Sequence, residues 1–377
     1  MATISLCMIV KDEKETLGRC LESVKTIADE IIIVDTGSTD TTKEIAGRYT
    51  DKIFDFGWIN DFSAARNYAF SLASCEYIFW LDADDVIKKE DAAGILRLKK
   101  LLSQEEVGTV FLKYNVGFDE QGMPTYSYYR ERIFKRSLNP IWLEPVHEVV
   151  AAVGKPVYFD LAVTHSKEKA GPPQRNLKII EGFIKKGGTL SPRLKYYYAR
   201  ELMFNHKPEK AAKAFENFLA DPNGWVENKI SACQDAAKCY QNICAAPPKT
   251  IQQGQLKSCD DKRLHLLLKS FAYGIPQPKS CCMLGEYFSE KGSLAQSVYW
   301  YETALRSARR LNKAPKKSMA LGFIEKDYHD FIPLIQLCVL HWKLGDKEKS
   351  ARFNELAGKI KPLNQNYLKN KSFFKSC

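Results

Sequence analysis

The sequence predicts two domains of different class. Residues 1–170 read as an α/β domain with a mostly parallel sheet, residues 192–377 as an all-α helical domain, and residues 171–191 as a linker or helix between them. Three observations carry this. Through about the first 165 residues, short apolar runs alternate with helix-patterned segments, the rhythm of parallel strands joined by crossover helices. Beyond "AGPPQRN" (170–176) the pattern becomes helix after helix. A chain of 377 residues also exceeds one typical hydrophobic core.

The elements follow in order. Ile4 to Val10 reads as a strand and Thr16 to Ala28 as a helix. "EIIIVD" (30–35) is a second strand, ended by the turn-forming "TGSTD", with Asp40 or Thr41 capping a helix to about Tyr49. Lys52 to Phe56 is a third strand, Ser63 to Ser74 a helix and Tyr77 to Leu81 a fourth strand. "YNVGFDEQGMPTYSYYRERIF" (114–134) reads as a hairpin turning at "DEQG". In the second half, "CCMLGEYFSEKGSLAQSVYWYETAL" (281–305) follows tetratricopeptide spacing through Leu284, Gly285, Phe288, Gly292, Tyr301 and Ala304. Looser copies lie at 196–219 and 333–362, the latter with Leu337, Gly345, Ala357 and Pro362, and a plain helical bundle is the alternative.

Composition is ordinary globular, with 45% hydrophobic and 27% charged residues. The net charge of +11 favours anionic ligands such as phosphates, and no nucleic-acid partner is expected from it. No apolar stretch approaches the roughly 20 residues of a spanning helix, and the N-terminus lacks the pattern of a secretory signal. Eleven cysteines without such a signal read as reduced thiols, which points to a cytoplasmic location. They form no paired zinc knuckle.

In parallel sheets, ligands bind outside the carboxyl ends of the strands. Asp35 stands at one such end, and "FWLDADDVI" (79–87) runs a fourth strand into Asp82, Asp84 and Asp85. Carboxylates on alternate residues can share a hard divalent cation, which neutralises a diphosphate leaving group. A solvated acidic turn is the alternative for this motif alone. Its place at a strand end, 47 residues after Asp35, favours function.

"ISLCMIVKDEKETLGRCLESV", "ADEIIIVDTGSTDTT", "FGWINDFSAARNYA" and "YIFWLDADD" together resemble glycosyltransferase family 2, the inverting enzymes of the GT-A (Rossmann-like) fold. The resemblance runs through most of residues 3–87, with weaker echoes at "WLEPVHEVV" and "VTHSK". The plan of a small GT-A domain followed by tetratricopeptide-like helices is similar to that of SunS-like S-glycosyltransferases, which modify cysteine in bacteriocin precursors. The resemblance implies that Val10 and Lys11 lie beside the nucleotide base and that Asp35 accepts from the uracil N3–H, favouring a UDP-sugar donor. Thr36 stands where many relatives carry a second acid, a departure that bears on base selection. It further implies that Arg66 and Asn67 approach the nucleotide or its diphosphate, that Asp61 orients that arginine or touches the uridine, and that Asp82 contacts the ribose. Asp84 is expected to bind Mg²⁺ or Mn²⁺, with His165 completing the metal shell, and Asp85 to be a helix cap or supporting acid. Glu148 is expected to be the general base toward the acceptor; the bland alternative pairs it with an arginine such as Arg130 or Arg132.

The acceptor has three readings. The first is a peptide side chain, Cys or Ser/Thr, receiving a hexose (glucose by default), because helical repeats present extended grooves. The second is a cell-envelope glycan of the lipopolysaccharide type. The third is a non-catalytic scaffold, against which the intact set Asp35, Asp82 and Asp84 argues. Exposed apolar helix faces would also offer a route to a homo-oligomer.

Overall fold

A computed structural model describes residues 1–166, 174–246, 253–313 and 324–375; the first four residues of "AGPPQRN" and Lys167 of "VTHSK" lie outside this set. The chain forms two compact units that part between Thr189 and Leu190.

In the first unit, eight strands follow the order β3-β2-β1-β4-β7-β6-β10-β5. β1 (Ile4–Val10), β2 (Glu30–Asp35), β3 (Ile53–Asp55) and β4 (Tyr77–Trp80) are mutually parallel. Their crossovers are α1 (Leu17–Val24), α2 (Thr42–Ala46) and α3 (Phe62–Ser71). Beyond β4 the sheet turns mixed. β5 (Asp85–Val86) and α4 (Lys89–Leu102) precede a long hairpin, β6 (Thr109–Phe118) and β7 (Pro124–Lys135), and β7 lies antiparallel to β4. The turn of that hairpin falls at "DEQG", where sequence places it. β8 (Trp142–Leu143) and β9 (Val149–Val150) form a separate small pair. β10 (Pro156–His165) runs parallel to β6 and antiparallel to β5, and α5 (Arg175–Lys185) follows.

The alternating side chains of β1 and β4 explain why both strands are almost wholly apolar. Ile4, Leu6, Met8, Tyr77 and Phe79 pack with Leu17, Leu21, Val24, Ile95 and Leu98 of α1 and α4. Cys7, Ile78 and Trp80 pack on the other face with Ala69 and Phe70 of α3. A sheet covered on both faces leaves polar groups only at strand ends. The register sets Val10 beside Asp35 and Cys7 beside Trp80, so the carboxyl ends of β1, β2 and β4 share one edge. Three helices are shorter than their patterns predict: α1 ends at Val24 rather than Ala28, α2 at Ala46 rather than about Tyr49, and α3 at Ser71 rather than Ser74.

The second unit is helical. Its three predicted repeats each fall on a helix pair: α6 (Pro192–Phe204) with α7 (Pro208–Leu219), α10 (Pro278–Glu290) with α11 (Leu294–Lys313), and Phe331–Lys343 with Lys347–Ile360. Between the first and second pairs lie α8 (Val226–Ala245) and α9 (Gln253–Lys269). Gly292 and Gly345 turn the second and third pairs at φ of 73° and 83°, a left-handed conformation that favours glycine. Cys233 and Cys239 are buried on α8, as small apolar side chains would be. Among the described residues, no helix is long and apolar enough to cross a membrane.

Candidate active site

A cleft of about 610 Å³ opens at the carboxyl edge of the first unit. Val10, Lys11, Arg66, Asp82, Asp84, Glu148 and His165 line it, joined by Thr36, Trp58, Phe62, Arg130, His147 and Arg175. Seven of the ten residues singled out in the sequence therefore meet in one cavity. Asp35, Asp61 and Asn67 are not among its lining residues.

Each of those three has a defined place. Asp35 ends β2 almost wholly buried, and its Oδ1 accepts from the backbone N–H groups of Gly37 (2.9 Å) and Ser38 (2.8 Å). Its buried Oδ2 has no hydrogen-bond partner. Asp61 caps α3, accepting from the Ala64 backbone N–H at 3.0 Å. Asn67 holds Trp142 by both backbone groups, donating to its carbonyl at 3.0 Å and accepting from its N–H at 2.8 Å.

At the end of β4, two neighbouring aspartates differ sharply. Asp85 is fully buried and accepts from Arg132 Nη1 at 2.9 Å, with both side chains shut off from solvent. Asp84 lines the cleft. Antiparallel pairing of β10 with β5 sets His165 opposite Asp85. This brings His165 Nδ1 to 3.4 Å from Asp84 Oδ1, 3.6 Å from Asp85 Oδ1 and 2.9 Å from the Tyr114 hydroxyl. Burial opposes a charge on the imidazole, yet the two carboxylates outweigh it and raise its pKa to about 9.

Residues Asp84, Asp85 and His165 offer ligand atoms that all lie within 4.8 Å of one another. Asp85 Oδ1 is buried without a hydrogen-bond partner. Carboxylates with one imidazole suit Mn²⁺ or Mg²⁺, so the residues present fit a divalent cation. The sequence pointed to Asp84 and His165; Asp85 joins them as the third member.

Arg66 occupies the centre of the site. Its Nη2 donates to Asp82 Oδ1 at 2.6 Å and its Nε to Glu148 Oε1 at 2.8 Å. The guanidinium carbon lies 4.8 Å from the ring of Trp80 and 4.9 Å from that of Trp142. Burial would raise the Asp82 pKa, but Arg66 and then Arg132 hold it well below the ordinary carboxylate range. Glu148 is thus partnered with Arg66, neither Arg130 nor Arg132; Arg130 donates instead to the Glu148 carbonyl at 3.0 Å. The segment leading to Glu148 is held at two points, by Asn67 on Trp142 and by the Phe62 N–H on the Pro145 carbonyl at 2.8 Å. Glu144 and His147 within it take positive φ, 75° and 53°. Arg130, read from sequence only as an alternative partner for Glu148, lines the cleft, and Asp85, read as a helix cap or supporting acid, stands with Asp84 and His165. Their only signal is alternation along β7 and the doubled acid after Ala83.

Comparison with known proteins defines the class. Residues 5–151 match the model of the Glycosyl transferase family 2 family, so the first unit carries a family 2 glycosyltransferase domain. Among individual proteins, the chain is 40% identical over 151 residues to a TPR repeat-containing protein of Synechococcus elongatus, covering 40% of this chain and 36% of that one. It is 28% identical over 249 residues to the SPbeta prophage-derived glycosyltransferase SunS of Bacillus subtilis, covering 61% of this chain and 58% of that one. The chain thus spans between about a third and three-fifths of the length of these relatives. Among solved structures, S. aureus TarS 1–349 in complex with UDP-GlcNAc aligns over 96% of this chain and 93% of its own, at 13% identity and a TM-score of 0.35.

Proposed function

We propose that this chain is an inverting glycosyltransferase that moves a hexose from a UDP-sugar to a peptide side chain. The observation that carries this is one cleft uniting a cation-competent set, Asp84, Asp85 and His165, with Asp82, Arg66 and Glu148. The family 2 match supports the reaction class. The peptide acceptor is supported by resemblance to SunS, whose match is longer than the whole first unit.

In this reading the base lies near Val10 and Lys11, and the unpartnered Oδ2 of Asp35 supplies an acceptor for the uracil N3–H. Asp82, kept anionic by Arg66, accepts from a ribose hydroxyl. Asp84 and His165, with Asp85 beside them, would hold Mg²⁺ or Mn²⁺, which when bound neutralises charge on the departing diphosphate. Glu148 accepts the proton of the attacking thiol or hydroxyl as the acceptor bonds to the anomeric carbon. The bond from that carbon to the diphosphate oxygen breaks on the opposite face, inverting the centre. A thiol needs less assistance, since part of it is already thiolate near neutral pH.

Calorimetry with UDP-, GDP-, CDP- and TDP-sugars, with and without Mn²⁺, tests the donor. Cation-dependent binding of a UDP-sugar is expected, followed by hexose addition to a cysteine-containing peptide seen by mass spectrometry. Binding of no nucleotide sugar by the folded protein would overturn the reading. Transfer to a glycan alone would replace the acceptor and leave the donor chemistry in place.

A further inference from the structure

We infer that Arg66 is a positioning residue, a buried guanidinium bridge that fixes the Glu148 carboxylate against Asp82. This rests on the proposed transferase reading, in which Asp82 serves the donor and Glu148 the acceptor.

The geometry argues it directly. Arg66 lies on α3, whereas Asp82 follows β4 and Glu148 belongs to the loop before β9, so three separate elements converge on one group. Its donors Nη2 and Nε are engaged at 2.6 and 2.8 Å, each with a carboxylate of the chain itself. Its side chain is only 8% exposed. Trp80 and Trp142 crowd the guanidinium and pack edge-on to each other at 4.9 Å and 80°. The Trp80 indole donates from Nε1 to the Glu131 carbonyl at 2.7 Å, and Asn67 holds the backbone of Trp142. Two of the five guanidinium N–H donors are committed to carboxylates of the chain itself.

The chemistry explains why arginine is needed. A planar fork can hold two carboxylates at a fixed angle; a lysine ammonium is a single flexible point charge and cannot set both orientations. Misplacement of a base by about 1 Å costs on the order of a hundredfold in rate. The bridge therefore fixes the distance between the donor side and the acceptor side of the cleft, and its loss falls on turnover more than on donor affinity.

The test uses the full chain with Arg66→Lys and Arg66→Ala. At saturating donor and acceptor, Arg66→Lys is expected to lose at least about tenfold in kcat, while the calorimetric Kd for UDP with Mn²⁺ shifts by less than about threefold. Arg66→Ala turnover is expected to recover with guanidinium chloride and not with sodium chloride at equal ionic strength, a rescue that a general loss of folding would not show. A turnover for Arg66→Lys within about twofold of wild type, or a loss of UDP affinity equal to the loss of turnover, overturns the inference. The wild-type chain separates the two proposals. Transfer by the wild type with an unimpaired Arg66→Lys overturns only the bridge; no transfer by the wild type from any nucleotide sugar overturns the functional reading and the bridge with it.

Discussion

Asp84 lines the cleft, while Asp85 beside it is sealed against Arg132, so adjacent carboxylates answer to different forces. On the proposed reading, replacing Asp84 removes a cation ligand and little packing. Asp84→Ala is expected to lower transfer by about a thousandfold, the loss of roughly 4 kcal/mol of charge stabilisation, with its melting temperature close to wild type by calorimetry. Arg132 is different in kind. Its guanidinium is fully buried, lies 4.0 Å from the Trp80 ring and 4.4 Å from the Tyr114 ring, and neutralises Asp85. Arg132→Leu breaks a fully buried ion pair, leaving only His165 near that carboxylate, and should destabilise the first unit by about 3 kcal/mol in denaturant titration. A stability within about 1 kcal/mol of wild type would show that the buried pair contributes little to the fold. No local pattern in "LDADDVI" separates these two roles, because the distinction is made by β7 and β10, elements far away in sequence.

At the scale of elements, the strands with apolar runs were legible to the residue: β1 and β2 have the bounds their sequences predict. Both carry buried apolar side chains on two faces, so the interior of each reads as a near-continuous apolar run. The helix α1 was overestimated because its apolar pattern continues through Ile27, which is buried after the helix has ended. Candidate site residues were legible where they follow a strand end, as Asp82 and Asp84 do. Their partners were not, since Arg66 meets Glu148 across 82 positions and only tertiary structure creates that pair. Glu30 is another such case, at the opposite end of the sheet. It accepts from Ser5 of β1, from Lys52 before β3, and from the Ser74 N–H (2.9 Å) and hydroxyl (2.8 Å) before β4. Burial alone would raise its pKa, but Lys52 and the two serines outweigh it and hold the carboxyl at about 2, below its ordinary 4.5. A depressed folded pKa gives stability that is complete above 4.5 and is lost as pH falls through 2. The contribution at neutral pH is about 3 kcal/mol. Unfolding free energy should therefore decline between pH 4.5 and 2, and Glu30→Gln should flatten that acid limb; an unchanged slope in the variant would count against the pairing.

On the scale of the whole molecule, the two units divide the work. Every residue lining the cleft falls between Ile9 and Asn176, within the first unit, and the helical unit has apolar clusters of its own. One such cluster depends on the pair α10 and α11, where Gly285 lets Tyr301 approach so closely that an added Cβ would stand 2.6 Å from its ring. Tyr301 is buried in the apolar cluster of this helix pair. The same device recurs near the C-terminus, where a Cβ at Gly358 would stand 2.3 Å from the ring of Tyr367. Tetratricopeptide spacing marks Gly285 and Tyr301 in the sequence, but not Gly358. Gly285→Ala should cost the helical unit about 1–3 kcal/mol through overpacking, seen as an earlier transition in chemical denaturation followed by circular dichroism. Units with separate cores unfold with separate stabilities. UDP binding at temperatures where both units remain folded should then be unchanged in Gly285→Ala, whereas Asp84→Ala should show the reverse, normal unfolding with weakened cation-dependent binding. A loss of UDP affinity in folded Gly285→Ala would mean that the helical unit contributes to donor binding, and the division of labour would have to be abandoned.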